Sequence, residues 1–157
     1  MWVCRVQVAG GSPSSMKSFE LIEHTADTGI KVYGETLTEL FENAAKGMFH
    51  ILACGNAASE GAEALKNIEL ENNTDKLEEL LVSWLSELLY IFNKEKICFN
   101  DFNVLSLNSE GMAAQAKGVH IDLYQSDRYT EIKAVTFHNL KIEEQIEGFS
   151  CTIIFDV

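Results

Sequence analysis

TDKLEELLVSWLSELLYIFN, residues 74–93, is the stretch on which the fold turns. Leu77, Leu80, Leu81, Trp84, Leu85, Leu88, Leu89 and Phe92 recur at steps of three and four, the spacing that lines one face of a helix. Asp75, Glu78 and Glu79 put negative charge at its start, where the helix dipole favours it. A stripe this wide reads as core rather than as a surface for a partner helix. Beyond Lys96 the chain is strand-like to its end, over residues 97–107, 111–118, 132–142 and 149–157. Gly148 marks the turn between the last two, which form a hairpin, and Asn108-Ser109-Glu110-Gly111 is another turn. Residues 122–130 are polar and irregular.

Toward the N-terminus, residues 65–72 alternate as a strand after a small, polar loop at 56–63. Thr36 and Glu39 form a capping box, and Leu37, Leu40, Phe41, Ala44, Ala45, Met48 and Ile51 or Leu52 follow at helical steps, ending near Cys54-Gly55. Phe19 with Leu21, then Ile30 with Val32, alternate as two strands around the polar elbow Glu23-His24-Thr25-Ala26-Asp27-Thr28-Gly29. Two main helices packed on a mostly antiparallel sheet make an α+β single domain. The opening MWVCRVQVAGGSPSS closes in a Gly/Ser linker before a second methionine, Met16. We read residues 1–15 as a flexible extension, an added arm or an upstream start, and residues 16–157 as the domain.

The 157 residues carry 12 Lys and Arg against 24 Asp and Glu, a net charge of −12. A chain this acidic repels phosphate backbones and anionic membranes, so neither direct nucleic-acid binding nor membrane association is expected. It suits a cation site or a basic protein partner. The four cysteines, Cys4, Cys54, Cys98 and Cys151, form no CxxC and no zinc-like spacing with a histidine. They read as reduced thiols in a cytoplasmic protein, Cys98 and Cys151 as small buried hydrophobes. No apolar run approaches the roughly 18–20 residues of a membrane span. A monomer is the default.

No nucleotide-binding loop and no GxSxG elbow occurs. His24, His50, His120 and His138 lie far apart, each more often structural than a ligand, and His50 reads as packing. Two acidic features remain: the elbow with Glu23, His24 and Asp27, and the ending Phe155-Asp156-Val157. Hard oxygen donors of this kind suit Ca²⁺ or Mg²⁺. Periodicity alone leaves open whether Asp27 meets Asp156, or whether these are a solvated turn acid and a frayed terminus. A hydrolase using Glu23, His24 and Asp27 as an acid/base cluster lacks any accompanying nucleophile or oxyanion device.

The stretch FELIEHTADTGI (residues 19–30) resembles the opening signature of the archease family. LFENAA (40–45), LLVSWLSELL (80–89), EIKAVTFH (131–138) and the ending Phe155-Asp156-Val157 are similar too, in the family's order. The resemblance spans Met16 to Val157 and leaves residues 1–15 outside it. It implies an accessory protein, not an enzyme: an activator of the RtcB-type tRNA-splicing RNA ligase. Such a protein promotes ligase guanylylation and multiple turnover and broadens nucleotide use. It also implies a calcium-type site whose ligands fall here on Asp27, Asp156 and Val157. An older interpretation attached to the family is a chaperone-like modulator of several nucleic-acid-processing enzymes. One departure stands out. The family's polar loop before the EIKAVT strand begins with Gly-Glu and contains Arg-His, whereas here the positions read Gly118-Val119 and Gln125-Ser126. A ligase contact made by that loop would be altered. His138 keeps the family pattern, its role open between core hydrogen bonding and support of the site.

Overall fold

The computed structural model describes residues 3–5, 18–23, 28–52, 62–121 and 130–157. The larger of its two antiparallel sheets runs in the order β1 (Val3–Arg5), β2 (Phe19–Glu23), β3 (Thr28–Gly34), β9 (Gly148–Asp156), β7 (Ala134–Val135), with β8 (Glu143–Gln145) also pairing with β9. The smaller one runs β4 (Glu63–Glu71), β6 (Gly111–His120), β5 (Ile97–Asn108). The helices α1 (Leu37–Ile51) and α2 (Leu77–Glu95) each bear on both sheets. The α+β expectation therefore holds, with the strands divided between two sheets. Val3–Arg5, inside the stretch read as a flexible extension, pair with Glu20–Ile22 at the edge of the larger sheet.

Helix α1 starts where the sequence says it should. Thr36 is extended (φ −127°) and its hydroxyl accepts from the Glu39 N–H at 3.1 Å, satisfying one of the free donors of the first turn. Leu40, Phe41, Ala44, Ala45 and Met48 are all fully buried. Three consecutive residues then tie α1 to three other elements. The Phe41 carbonyl accepts from the Trp84 indole N–H at 3.0 Å, on α2. A Glu42 carboxylate oxygen accepts from the Val104 N–H at 2.9 Å, on edge strand β5 beside the register shift between Val104 and Ser106. The Asn43 amide donates to the Tyr33 carbonyl at 2.7 Å, on β3. Phe49 completes the packing, with ring centroids 5.9, 5.6 and 5.7 Å from those of Phe92, Phe99 and Phe102.

Helix α2 begins three residues after the Thr74 expected to open it. The Thr74 hydroxyl accepts from the Lys76 N–H and donates to Asn72, so it builds the preceding turn instead of capping. Lys76 takes the cap position without a side-chain hydrogen bond. Glu78, read as a dipole charge, accepts from the Ile142 N–H at 3.0 Å. At the other end Lys96 closes the helix in the left-handed region (φ 57°), its N–H bonded to the Phe92 carbonyl.

The strand expected over 132–142 is corrected to two short ladders with a turn between them. Ala134 and Val135 pair with β9, then the chain turns at Phe137–Leu140 with Asn139 at φ 54° and rejoins as β8. Leu140 and Ile142 still pack on the core, which is why their alternation resembles a strand. The β8–β9 hairpin forms as expected, with Gly148 at φ 141°. A Cβ there would run into the Gly34 carbonyl, so this position requires glycine. The cysteine reading is corrected in part: Cys98 is disulfide-bonded, while Cys151 is a free, buried thiol.

Asn43→Ala removes the tie from α1 to β3 and is expected to cost about 1–3 kcal/mol, the range for stranding a buried polar partner. Lys96→Gly relieves a side chain held in the left-handed region and is expected to stabilise by about 0.5–1 kcal/mol. Urea denaturation midpoints check both signs.

Candidate functional site at the end of the last strand

Strand β9 buries Cys151, Ile153 and Phe155 against the helices and turns the intervening residues to the opposite face. Asp156 continues that alternation outward and is exposed, whereas the half-buried Val157 packs against the core. The terminal residue thus anchors the strand end and leaves the Asp156 carboxylate in solvent. The Asp156 carbonyl accepts from the Lys133 N–H at 2.7 Å, which fixes the backbone that carries it. The carboxylate itself has no hydrogen bond or ion pair to a described residue.

One step before, the Ile154 carbonyl accepts from both the N–H and the hydroxyl of Thr136, at 3.1 and 2.9 Å. The same hydroxyl accepts from the His138 N–H. Thr136 is the residue that sequence reasoning passed over. Its signal was a threonine inside the strand expected over 132–142, directly after the Ala134–Val135 ladder, and its work is to clamp the β9 end. His138 is exposed, its ring 3.3 Å from the Asn139 amide, so it is not the core histidine considered above. His50 is exposed as well, though its ring lies 5.6 Å from that of Phe19.

On the neighbouring strand the pairing of β3 with β9 runs up to Thr28 opposite Phe155. Asp27, the residue before Thr28, lies outside the described residues, as does His24; of Glu23 the structure gives the backbone pairing to Thr28. Among the described residues no group of three or more His, Cys, Asp or Glu side chains could hold a metal ion. Asp156 and the Val157 main-chain oxygens are hard donors of the type a calcium-like cation takes, and they are two members of a set needing more. Among the described residues, no helix is long and apolar enough to cross a membrane.

Cys151 is not placed as a nucleophile. Burial first, and the negative charge of Glu78 second, push the Cys151 thiol up to about 12, far from the thiolate range.

Set beside known proteins, this small α+β chain with an exposed carboxylate on its last strand has clear relatives. Residues 19–157 match the Archease protein family (MTH1598/TM1083). Protein archease of Methanosarcina barkeri is 38% identical over 148 residues, covering 92% of this chain and 99% of that protein. Protein archease of Pyrococcus furiosus is 36% identical over 136 residues, covering 85% and 93%. The solution structure of Methanobacterium thermoautotrophicum protein 1598 superposes with a TM-score of 0.69 at 32% identity, covering 90% of this chain and all of that one. The crystal structure of an archease, described as a possible chaperone, from Thermotoga maritima shares the fold at a TM-score of 0.60 and 22% identity, covering 87% and 94%. The chain belongs to the archease family.

Cys151 is expected to resist alkylation by iodoacetamide at pH 8 in the native protein and to react once the chain is unfolded. The folded thiol holds its proton well above the unfolded one, so its contribution to stability is complete below about pH 9 and fades toward pH 12. Cys151→Ala should flatten that alkaline decline in denaturation midpoints measured across this range.

Proposed function

We propose that this protein is a non-enzymatic activator of an RtcB-type tRNA-splicing RNA ligase. It promotes ligase guanylylation and multiple turnover in RNA end joining and broadens the ligase's nucleotide use. It acts as a cytoplasmic monomer through protein contact, without binding RNA itself. The observation that carries this reading is the Asp156 carboxylate, exposed and without a partner among the described residues on a clamped strand end of a family member.

A hard divalent cation such as Ca²⁺ would be held by the Asp27 and Asp156 carboxylates with a main-chain oxygen of Val157, and would supply positive charge at the tip. The register supports that set: the β3–β9 ladder reaches Thr28 and Phe155, and Asp27 precedes the one while Asp156 follows the other. The chain's own residues supply the rest. Phe155 and Val157 root the strand, Thr136 and Lys133 fix its backbone, and a net charge of −12 steers the molecule toward a basic mouth. A ligase active site that takes up GTP and releases pyrophosphate is basic by necessity. Its conformation or metal loading is what an acidic tip would bias.

The test is a guanylylation assay with the cognate ligase, GTP and divalent metal, this protein being substoichiometric. Wild type should stimulate strongly. Asp27→Ala and Asp156→Ala should abolish stimulation while melting like wild type, and should weaken calcium binding on the order of tenfold or more by calorimetry. Full stimulation by either variant would sink the tip reading.

A chaperone-like modulator of several nucleic-acid-processing enzymes is the second reading, favoured by the description of the Thermotoga maritima relative as a possible chaperone. Suppression of aggregation of unrelated clients, with no effect on ligase guanylylation, would select it.

A further inference from the structure

The smaller sheet buries one face toward the helices and leaves most of the other exposed, the buried Cys98 and Val119 at one end excepted. Ile68 on β4, Phe102 and Val104 on β5, and Met112, Ala114 and Ala116 on β6 are buried toward the helices. The register sets the opposite face in rungs across the three strands: Leu65, Lys117 and Asp101; Asn67, Gln115 and Asn103; Glu69, Ala113 and Ser106; Glu71, Gly111 and Asn108. Along the middle strand the outward residue shortens from Lys117 through Gln115 and Ala113 to Gly111, while the β4 side keeps long side chains. The result is a trough over β6.

Three adjoining depressions follow that trough. One of about 600 Å³ is lined by Leu65, Asp101 and Lys117, among others. The next, of about 300 Å³, includes Asn103 and Gln115 and reaches round the β5 edge to Glu42 of α1, and the third, of about 490 Å³, includes Glu69, Glu71 and Ala113. Leu65 is 52% exposed on this face, and Leu105, the residue at the β5 register shift, is 59% exposed beside it.

We propose that this face is a docking surface for a basic amphipathic helix of a partner protein. Size fits a helix. Two strand spacings of about 4.8 Å separate the edge strands, and a helix with its side chains is about 10 Å across. Ten residues of β6 extend about 33 Å, the length of a helix of roughly 22 residues. Charge selects the partner: among the described residues, Glu63, Glu69, Glu71 and Asp101 line the trough against one cation, Lys117. Lys66, on β4, is already paired to Glu95 at 2.8 Å. A second copy would bring the same carboxylates against themselves on a chain of net charge −12, so charge complementarity selects a basic partner over self-association. Leu65 supplies the apolar anchor, and the low floor at Ala113 and Gly111 admits side chains of the incoming helix. The face belongs to the smaller sheet, whereas Asp156 ends β9 of the larger one, so this contact is separate from the Asp156 end.

The experiment titrates the isotopically labelled full chain with a 21-residue amphipathic Leu/Lys helix, followed by amide NMR. A matched Leu/Glu helix is the control probe. The expected result is saturable shifts centred on Leu65, Glu69, Ala113 and Gln115. Binding should weaken at least tenfold in Glu69→Lys with Asp101→Lys, weaken in Leu65→Ser, and stay unchanged in Asp156→Ala. All these positions are on the surface, and unchanged spectra elsewhere will show that the variants fold. Shifts spread evenly over the acidic surface, or indifference to the Glu69/Asp101 reversal, would overturn the proposal. So would light scattering that finds the free protein dimeric through this face.

Discussion

Everything in this molecule hangs from three adjacent residues of α1. The Phe41 carbonyl holds the Trp84 indole of α2, the Glu42 carboxylate holds the Val104 amide of β5, and the Asn43 amide holds the Tyr33 carbonyl of β3. These residues point in different directions because successive positions on a helix are about 100° apart. A helix that touched only one sheet could satisfy its apolar face with leucine and alanine alone. A helix packed against two sheets and a second helix needs directional contacts on several sides, and hydrogen bonds supply register that hydrophobic contact does not. That is a physical reason for the polar residues in the LFENAA run, whose alanines allow the close approach.

The same hub explains why the chain end is rigid enough to carry a site. Strand β3 is tied to α1 through Asn43, and β9 pairs with β3 from Gly34–Phe149 to Thr28–Phe155. Helix α2 reaches over to the returning segment through Glu78 and the Ile142 amide. Strand β9 is therefore gripped along both sides, by β3 on one and by β7, β8 and Thr136 on the other. A carboxylate at the last step of such a strand loses little further freedom when it engages a cation or partner, which lowers the entropic cost of binding.

How much of this was legible in the sequence depends on the range of the interaction. Both helices were visible because their periodicity is local, and Thr36 was placed correctly because its capping partner is three residues away. Thr74 failed because its hydroxyl had a competing turn with Asn72 and Lys76, a choice that local pattern does not decide. Residues 132–142 failed because Leu140 and Ile142 are partly buried against the core, and burial produces alternation whether or not a ladder exists. Asp156 could be singled out as chemistry, but its standing beside the start of β3 is a fact of pairing between chain positions 28 and 155. Only the family signature carried that into the sequence reading. The disulfide of Cys98 lay beyond spacing arguments altogether.

Acidity acquires different meanings in different places once the fold is known. Glu42 and Glu78 are acceptors for backbone amides, so they are structural charges. Glu95 is paired with Lys66, whose hydrogen bond holds its carboxyl below the usual range. Glu20 accepts from the Tyr33 hydroxyl. Other carboxylates, Asp156 at the β9 end and those on the outer face of the smaller sheet, are exposed. The two lie on different sheets. Long-range attraction serves encounter at either place, while Asp156 at one and Leu65 at the other give each contact its specificity.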